Sequence, residues 1–357
     1  MPDVGTTTED LERYLAQRHL VGAGLRREGQ APARKGPTAA HWSWEGIHDG
    51  LLQSGRIVTV GPAGMTGMRS VVGIEARQFP IHMNAQILMP GERTECHRTM
   101  RSETRLVCQA PPEAMFVCEF EAYPMERGDV VISPPWTYHD HWNPGSEPAI
   151  WVDAYDDGHY KGASINEKLP NGALYQEVSR PEGFGLATHG HVRPTGGRPH
   201  LASPLAVRVG PVGEELLVPL PPMRYPWRET KAALDALRAG GGAADPYEGL
   251  HLMLASPIDN GPTLPTFAWH VQLLDPNQAT LAHRHNSTTF YHVFEGEGAT
   301  VIEGERLEWH KGDIFAVPAW TWHHHKSAFS GDTILFSVDD WPAMKKLGFY
   351  WKEEASA

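Results

Sequence analysis

Short runs of apolar residues, separated by Gly and Pro, dominate the chain from about residue 57 onward. In the first half they lie at residues 81–89, 105–108, 115–118 and 129–132. In the second half they lie at residues 267–274, 289–294, 299–303, 314–317 and 333–338. Short strands at regular spacing between turns are typical of an antiparallel sandwich or barrel. The pattern therefore predicts an all-β protein.

Two segments have the pattern of helices. Residues 11–20, which Thr7 or Thr8 can cap, predict a short amphipathic helix near the N-terminus. Residues 229–238 predict a second helix, which three glycines at positions 240–242 would close. Residues 25–40 are interpreted as an extended arm. Residues 158–222 are interpreted as a long connection, with two strands around residues 205–218.

The chain contains an internal repeat. Gln86 lies eleven residues before His97, and Gln272 lies eleven residues before His283. In both copies a Gly-Asp pair precedes a proline and an aromatic-rich segment, WTYHDH or WTWHHH. Two copies of one β module account for 357 residues, which is more than one domain usually has. We therefore divide the chain into residues 1–170, with the first module, and 171–357, with the second.

Composition and charge exclude several classes of protein. The net charge of −12 argues against a nucleic-acid-binding surface, and no apolar run approaches membrane-spanning length. The acidic N-terminus has no apolar segment typical of a signal peptide. Three cysteines form no disulfide framework and suit a reducing compartment. These features predict a cytoplasmic protein with neither a nucleic-acid nor a membrane partner.

Three histidines of the second copy are candidate metal ligands. His283 and His285 are two residues apart, so on a strand their side chains project to the same face. His323, on a second strand, would complete a three-histidine face whose other side stays open to water, substrate or oxygen. A single histidine is more often packed in a core or exposed to solvent. The strand-turn-strand context favours a metal site.

The two copies resemble the signature motifs of the cupin superfamily and, in finer detail, the bicupin gentisate and salicylate 1,2-dioxygenases. The first copy supplies Gly91, His97, Glu103, Gly128, Pro134, His139 and Asn143, with Thr99 at the second histidine. The second copy supplies His283, His285, Gly296, Gly312, Pro318 and His323, with Thr289 at the glutamate. The resemblance covers about residues 40–155 and 225–345. It implies two cupin barrels, each a double-stranded β-helix or jelly roll, with a few short helices at the N-terminus and between the barrels.

The resemblance also implies a reaction. In that family Fe(II) is held by three histidines, and the carboxylate and hydroxyl of the aromatic substrate chelate it. Dioxygen then opens the ring between the two substituted carbons in an extradiol-type cleavage. Three neutral imidazoles leave the charge of Fe(II) uncompensated, which favours a dianionic chelate. Thr289 in place of a glutamate agrees with this chemistry and disfavours the carboxylate-bearing manganese cupins.

The two copies differ in their metal ligands. The best-known metal site of the family is in the N-terminal cupin, where this chain has Thr99 in place of a histidine. His97 and His139 remain there, with Glu103 as a conceivable third ligand. The C-terminal copy keeps all three histidines, so we expect the working metal site in that half.

The substrate-binding residues are distributed the opposite way. The resemblance places a carboxylate-binding Arg, a Gln and a second histidine in the N-terminal copy as Arg105, Gln86 and His141. The C-terminal copy has Gln272 and His325, but Tyr291 stands where the Arg would be. Either Tyr291 or an Arg from another segment anchors the substrate there, or the N-terminal site works with irregular ligands.

Two further residues of the C-terminal copy have candidate roles. His325 is expected to orient dioxygen or to donate a proton, for which imidazole is suited near neutral pH. Trp322 is expected to line a pocket for an aromatic ring, although such residues more commonly pack in a core.

The main hypothesis is an Fe(II)-dependent dioxygenase of gentisate, salicylate or a substituted 2-hydroxybenzoate that inserts both oxygen atoms of O2. The alternative is a metal-binding cupin that is not an oxygenase, such as an isomerase, a lyase or a small-molecule sensor. A structural storage-type bicupin is disfavoured, because such a protein has no need of three intact ligands. The resemblance further implies a homotetramer.

Overall fold

The computed structural model describes residues 39–58, 60, 69–71, 80–156, 158, 166–184, 192–195, 198–201, 207–209, 215–217, 222–241 and 244–356. The helix predicted within residues 11–20 and nearly all of the predicted arm lie outside these residues. Most of the predicted strands lie inside them.

The first half of the chain folds into short antiparallel strands, as the apolar runs predict. They are β1 (Ala40–Trp42), β2 (Arg69–Val71), β3 (His82–Leu88), β4 (His97–Thr99), β5 (Glu103–Gln109), β6 (Met115–Cys118), β7 (Glu121–Pro124), β8 (Val130–Ser133), β9 (His139–Trp142), β10 (Ala149–Tyr155) and β11 (Asn166–Lys168). The connecting segment contains two hairpins, β12 (Val192–Thr195) with β13 (Arg198–Leu201) and β14 (Val207–Val209) with β15 (Glu215–Leu217). The second hairpin supplies the two strands expected around residues 205–218.

The second half repeats this arrangement. Its strands are β16 (Met223–Tyr225), β17 (Leu250–Met253), β18 (Ala268–Leu274), β19 (His283–His285), β20 (Thr289–Glu295), β21 (Glu297–Ile302), β22 (Glu305–His310), β23 (Ile314–Val317), β24 (His323–Ser327), β25 (Thr333–Asp339) and β26 (Lys352–Glu354).

Each barrel is built of one six-stranded and one five-stranded sheet, as expected for a double-stranded β-helix. In the first barrel the strand orders are β16-β8-β5-β10-β3-β2 and β11-β4-β9-β6-β7. In the second they are β1-β23-β20-β25-β18-β17 and β22-β21-β24-β19-β26. The fold of two cupin barrels is therefore confirmed.

The barrels exchange edge strands. β1, which precedes the first barrel, pairs with β23 of the second barrel, so that Trp42 lies opposite Ile314. β16, which precedes the second barrel, pairs with β8 of the first, so that Met223 lies opposite Ile132. Each exchange covers a sheet edge that would otherwise present unpaired backbone groups. The division at residues 170 and 171 stays a prediction.

Three α-helices lie among the described residues: α1 (Trp44–Ile57), α2 (Trp227–Ala239) and α3 (Trp341–Lys346). A 3-10 turn lies at Pro170–Gly172. The predicted helix at residues 229–238 corresponds to α2, which begins two residues earlier and has Gly240 as its C-cap. The sequence analysis missed α1 and α3. None of the described helices is long and apolar enough to cross a membrane.

The first residues of α1 and α2 are also held by the other barrel, as the edge strands are. The Asp of each Gly-Asp turn accepts a hydrogen bond from the backbone N–H of a tryptophan at 2.8 Å, Asp313 from Trp44 and Asp129 from Trp227. In each case the tryptophan ring lies where a Cβ on the turn glycine would be. These glycines also have φ near +90°, a conformation that other residues rarely adopt. The turns that mark the repeat in sequence therefore anchor the helix that precedes the other barrel.

The largest hydrophobic cluster extends through both barrels and includes Leu51, Leu106, Trp269 and Phe290. Each barrel also has a smaller cluster of its own, around Phe116 and Trp151 in the first and around Tyr291, Trp309 and Phe315 in the second. These smaller clusters lie beside the histidines.

Candidate metal site in the second barrel

The fold brings His283, His285 and His323 together. β19 pairs with β24 so that His283 lies directly opposite His323, and strand alternation places His285 on the same face. The nitrogen atoms that these side chains offer lie within 4.8 Å of one another. All three side chains are buried. The spacing in the sequence therefore predicted a real cluster.

The hydrogen bonds of the histidines leave a nitrogen of each available to a metal. Nδ1 of His285 lies 3.0 Å from the carbonyl of Ser287, and Nδ1 of His323 lies 3.0 Å from that of Thr321. Such a bond on Nδ1 fixes the ring and leaves Nε2 as the metal-binding nitrogen. Nε2 of His323 and Nδ1 of His283 are buried without a hydrogen-bond partner among the described residues. Orphaned buried nitrogens are costly, and a metal ion would satisfy them.

Burial also keeps the imidazoles of His285 and His323 neutral. It lowers the pKa of His285 to about 4 and that of His323 well below the usual 6.5, and the neighbouring histidines lower both further. Metal ligands must be deprotonated. The donor set therefore fits a divalent transition metal such as Fe(II).

Glu248 was not predicted from the sequence. This residue lies in the turn between Asp245 and Gly249, outside both cupin motifs. Its Oε1 is 3.1 Å from Nε2 of His283, and its Oε2 accepts a hydrogen bond from Gln272. Burial raises the pKa of Glu248, but hydrogen bonding to His283 and the nearby imidazoles outweigh burial, so the pKa lies well below 4.5. A negative charge therefore stands beside the cluster.

His325 is the next residue on the same face of β24, and its ring centre is 5.9 Å from that of His323. Its Nδ1 lies 2.9 Å from the hydroxyl of Thr300, which already accepts a hydrogen bond from Trp309. This arrangement favours Thr300 as the donor to Nδ1, so the ring proton of neutral His325 is on Nε2. Nε2 has no partner in the described part of the chain. His325 thus offers an N–H donor.

Tyr291 occupies the strand position where the resemblance places an arginine. Its ring stacks on Phe315 at 4.8 Å and meets His325 edge-on at 4.8 Å. Burial raises the pKa of Tyr291 well above 10, so the phenol stays neutral. This strand position consequently carries no positive charge. Gln272, the other predicted substrate contact, is buried on β18 and reaches the cluster through Glu248.

The structure does not bring Trp322 to the cluster, which corrects the expectation that it lines the pocket. The ring of Trp322 packs 4.8 Å from the guanidinium of Arg284, which also contacts Trp320 at 4.4 Å. Arg284 in turn pairs with Glu353 at 2.6 Å. The reason is strand alternation, since the residue before His323 must face the other way.

The corresponding cluster of the first barrel contains its own cations. Ligand atoms of His97, Glu103 and His139 lie within 4.8 Å of one another. Glu103 accepts hydrogen bonds from Arg101 at 2.7 Å and from Arg105 at 2.5 Å. Burial raises the pKa of Glu103, but these arginines and His139 lower it well below 4.5. The carboxylate is thus compensated within the protein.

The other candidates of the first barrel are held by protein contacts. Arg105 donates to Ser133 at 2.8 Å, and its Nε lies 3.3 Å from Asp153. Gln86 donates to the hydroxyl of Tyr155 at 2.9 Å. His141 stacks on Trp151 at 4.8 Å, and burial lowers its pKa well below 6.5. The predicted carboxylate-binding arginine is therefore already engaged by two acidic side chains.

Two barrels of double-stranded β-helix, the second with a buried three-histidine cluster, define a bicupin. The model of the Cupin domain matches residues 85–155 and 270–339. The chain is 32% identical to a 5-aminosalicylate 1,2-dioxygenase from Comamonas sp, covering 88% of this chain and 81% of the relative. It is 30% identical to a 1-hydroxy-2-naphthoate 1,2-dioxygenase from Nocardioides sp. (strain KP7), covering 97% and 88%.

The fold has a close counterpart among solved structures. The crystal structure of a salicylate 1,2-dioxygenase from Pseudaminobacter salicylatoxidans matches with a TM-score of 0.78 and 23% identity, covering 99% of both chains. The chain belongs to the bicupin family of gentisate and salicylate 1,2-dioxygenases. The family expected from the motifs is therefore confirmed.

Proposed function

We propose that this protein is a dioxygenase that cleaves the ring of gentisate, salicylate or a substituted 2-hydroxybenzoate between the carboxyl- and hydroxyl-bearing carbons. The observation that carries the proposal is the buried cluster of His283, His285 and His323, whose ligand atoms lie within 4.8 Å of one another. Family relatives named as dioxygenases of 5-aminosalicylate, 1-hydroxy-2-naphthoate and gentisate support the reaction class.

The reaction needs no other reductant. One C–C bond of the ring breaks and the O–O bond of O2 breaks. One oxygen atom goes to each of the separated carbons, and the four electrons that O2 accepts come from the aromatic substrate. A ferrous ion, when bound, supplies a positive charge for the substrate's carboxylate and hydroxyl and a one-electron donor for dioxygen.

The chain's own residues would position the reactants. The three histidines would hold the metal, and the Nε2–H of His325 would donate a hydrogen bond to an oxygen of the substrate or of dioxygen. The neutral phenol of Tyr291 offers a single hydrogen bond where an arginine would offer a charge-assisted pair. We expect weaker anchoring of the substrate carboxylate in this barrel as a consequence.

The finer parts of the proposal are Fe(II) as the metal, extradiol-type cleavage, a cytoplasmic location and a homotetramer. Three neutral imidazoles suit Fe(II). Three buried free cysteines suit a reducing compartment. The cleavage type and the tetramer are supported only by resemblance to the family.

Oxygen consumption tests the proposal directly. Protein loaded anaerobically with Fe(II) is mixed with O2 and a panel of 2-hydroxybenzoates, and the His285→Ala variant serves as the control. We expect uptake of one O2 for each ring opened, with none in the variant. The absence of uptake with every 2-hydroxybenzoate would refute the proposal and favour a cupin that is not an oxygenase.

A further inference from the structure

We propose that Glu248 is a fourth metal-binding group of the second barrel, supplied by the turn before the barrel. Its Oε1 lies 3.1 Å from Nε2 of His283, and its other oxygen is held by Gln272. At the strand position where many cupins carry a glutamate, this barrel has only the short side chain of Thr289. The inference rests on the proposed function, which puts a metal at the three histidines.

The carboxylate lies at the nitrogen that a metal would use. The equivalent histidine of the first barrel, His97, directs Nδ1 to the carbonyl of Glu95 at 3.1 Å. His139 and His323 make the same bond to the residue two positions earlier. Such a bond on Nδ1 leaves Nε2 of these three histidines as the nitrogen available to a metal. The oxygen of Glu248 lies 3.1 Å from the same nitrogen, Nε2, of His283, whose Nδ1 has no partner among the described residues.

The negative charge of the Glu248 carboxylate lacks a positively charged partner among the described side chains. Its side chain is only 16% exposed, and the polar groups that contact its carboxylate are the imidazole of His283 and the amide of Gln272. Within the described part of the chain, no Lys or Arg pairs with it. Glu103 of the first barrel, in contrast, is paired with two guanidinium groups. A buried carboxylate without a counterion is strongly unfavourable, and a divalent metal would supply the charge.

The turn that carries Glu248 is fixed to the site. The carboxylate of Asp245 accepts hydrogen bonds from the backbone N–H groups of Tyr247 at 2.7 Å and Glu248 at 3.1 Å. The hydroxyl of Tyr247 donates to the carbonyl of Ala355 at 3.0 Å, next to β26, which pairs with the histidine strand β19. Glu248 is thereby positioned before any metal binds, as a binding group requires.

Titration of the metal-free full-length protein with Co(II), followed by calorimetry and visible absorption, tests this role. We expect Glu248→Gln to weaken Co(II) binding by at least about tenfold and to change the intensity of the cobalt absorption bands, because one oxygen donor is lost. Glu354→Gln is the matched control, since Glu354 is exposed on β26 opposite His283. It should change the affinity by less than about twofold.

The outcomes separate this inference from the proposed function. Parent-like affinity and an unchanged spectrum in Glu248→Gln would overturn the role of Glu248 and leave the histidine site intact. Failure of the parent protein to bind Co(II) would overturn both. If Glu248→Gln does not fold by circular dichroism, Glu248→Asp replaces it: the shortened side chain should alter the cobalt spectrum, and an unaltered spectrum would count against the role.

Discussion

In the first barrel, Nη2 of Arg105 lies 2.5 Å from Oε2 of Glu103, and both side chains are almost fully buried. In the second barrel Tyr291 replaces this arginine and Thr289 replaces this glutamate. The two halves of the repeat therefore balance their buried charges differently. The first does so with arginine, and the second has its histidines and Glu248 ready for a metal.

The Arg105–Glu103 pair should be essential for stability. We expect Arg105→Met to destabilise the protein by about 3–5 kcal/mol, because it leaves Glu103 buried with one guanidinium fewer. The free energy of unfolding in urea measures this. Arg306→Met, which removes an exposed partner of Glu308, should cost less than about 1 kcal/mol. Equal effects of the two substitutions would show that the buried pair has no special importance.

Metal binding should depend on the second barrel alone. We expect His285→Ala to lose bound metal and oxygen consumption, since His285 belongs to the three-histidine cluster proposed to hold the metal. Thr99→Ala should retain both, because Thr99 only donates to Glu103 at 3.2 Å in the first barrel. Metal analysis and oxygen uptake measure the two effects. A normal rate of oxygen uptake in His285→Ala would show that the catalytic metal is not in the second barrel.

The hydroxyl of Thr300 should support catalysis by holding the tautomer of His325. We expect Thr300→Val to lower kcat by about 10- to 100-fold with a smaller change in KM, because the Nε2–H of His325 would no longer be fixed. Thr300→Ser keeps the hydroxyl and should restore most of the rate. If Ser and Val behave alike, the hydrogen bond to Nδ1 has no part in turnover.

The pH dependence of stability should include a contribution from His292, which is buried beside Cys108. Burial and the charge of Arg127 lower the pKa of His292 from 6.5 to about 3. The unfolded chain therefore binds a proton first as pH falls below 6.5. The contribution of neutral His292 to the free energy of unfolding is therefore fully present above pH 6.5 and is lost progressively as pH falls to about 3.

Between pH 7 and pH 5 this histidine alone should reduce the free energy of unfolding by about 2 kcal/mol. Urea unfolding of the metal-free protein at both values measures the change. Gln does not titrate, so the free energy of unfolding of His292→Gln should decrease between pH 7 and pH 5 by about 2 kcal/mol less than that of the parent protein. An identical loss in parent and variant would contradict the assigned pKa shift.

The sequence predicted the parts of the site that depend on strand periodicity. His283, His285 and His323 were predicted correctly as a cluster, because alternation and an internal repeat fix their face. The same alternation excludes Trp322, which directly precedes His323. The prediction for Trp322 relied on its proximity in sequence to the histidines and on the suitability of its ring for an aromatic substrate.

The parts that depend on distant contacts were not predictable in this way. Glu248 reaches His283 from an irregular turn between α2 and β17, and no short sequence motif predicts that contact. β1 pairs with β23 across most of the chain, so the exchange of edge strands leaves no local signal. Helix α1 directly follows that exchanged strand and lies beyond the predicted arm at residues 25–40, in a segment where the pattern predicted no helix.

The location of the bound metal is the most direct test of the proposal that the second barrel holds the metal site. Crystals of the Fe(II)-loaded full-length protein should be measured at X-ray energies above and below the iron absorption edge. We expect one anomalous peak in each chain, among His283, His285 and His323, and none between His97 and His139. A peak in the first barrel with none in the second would contradict it.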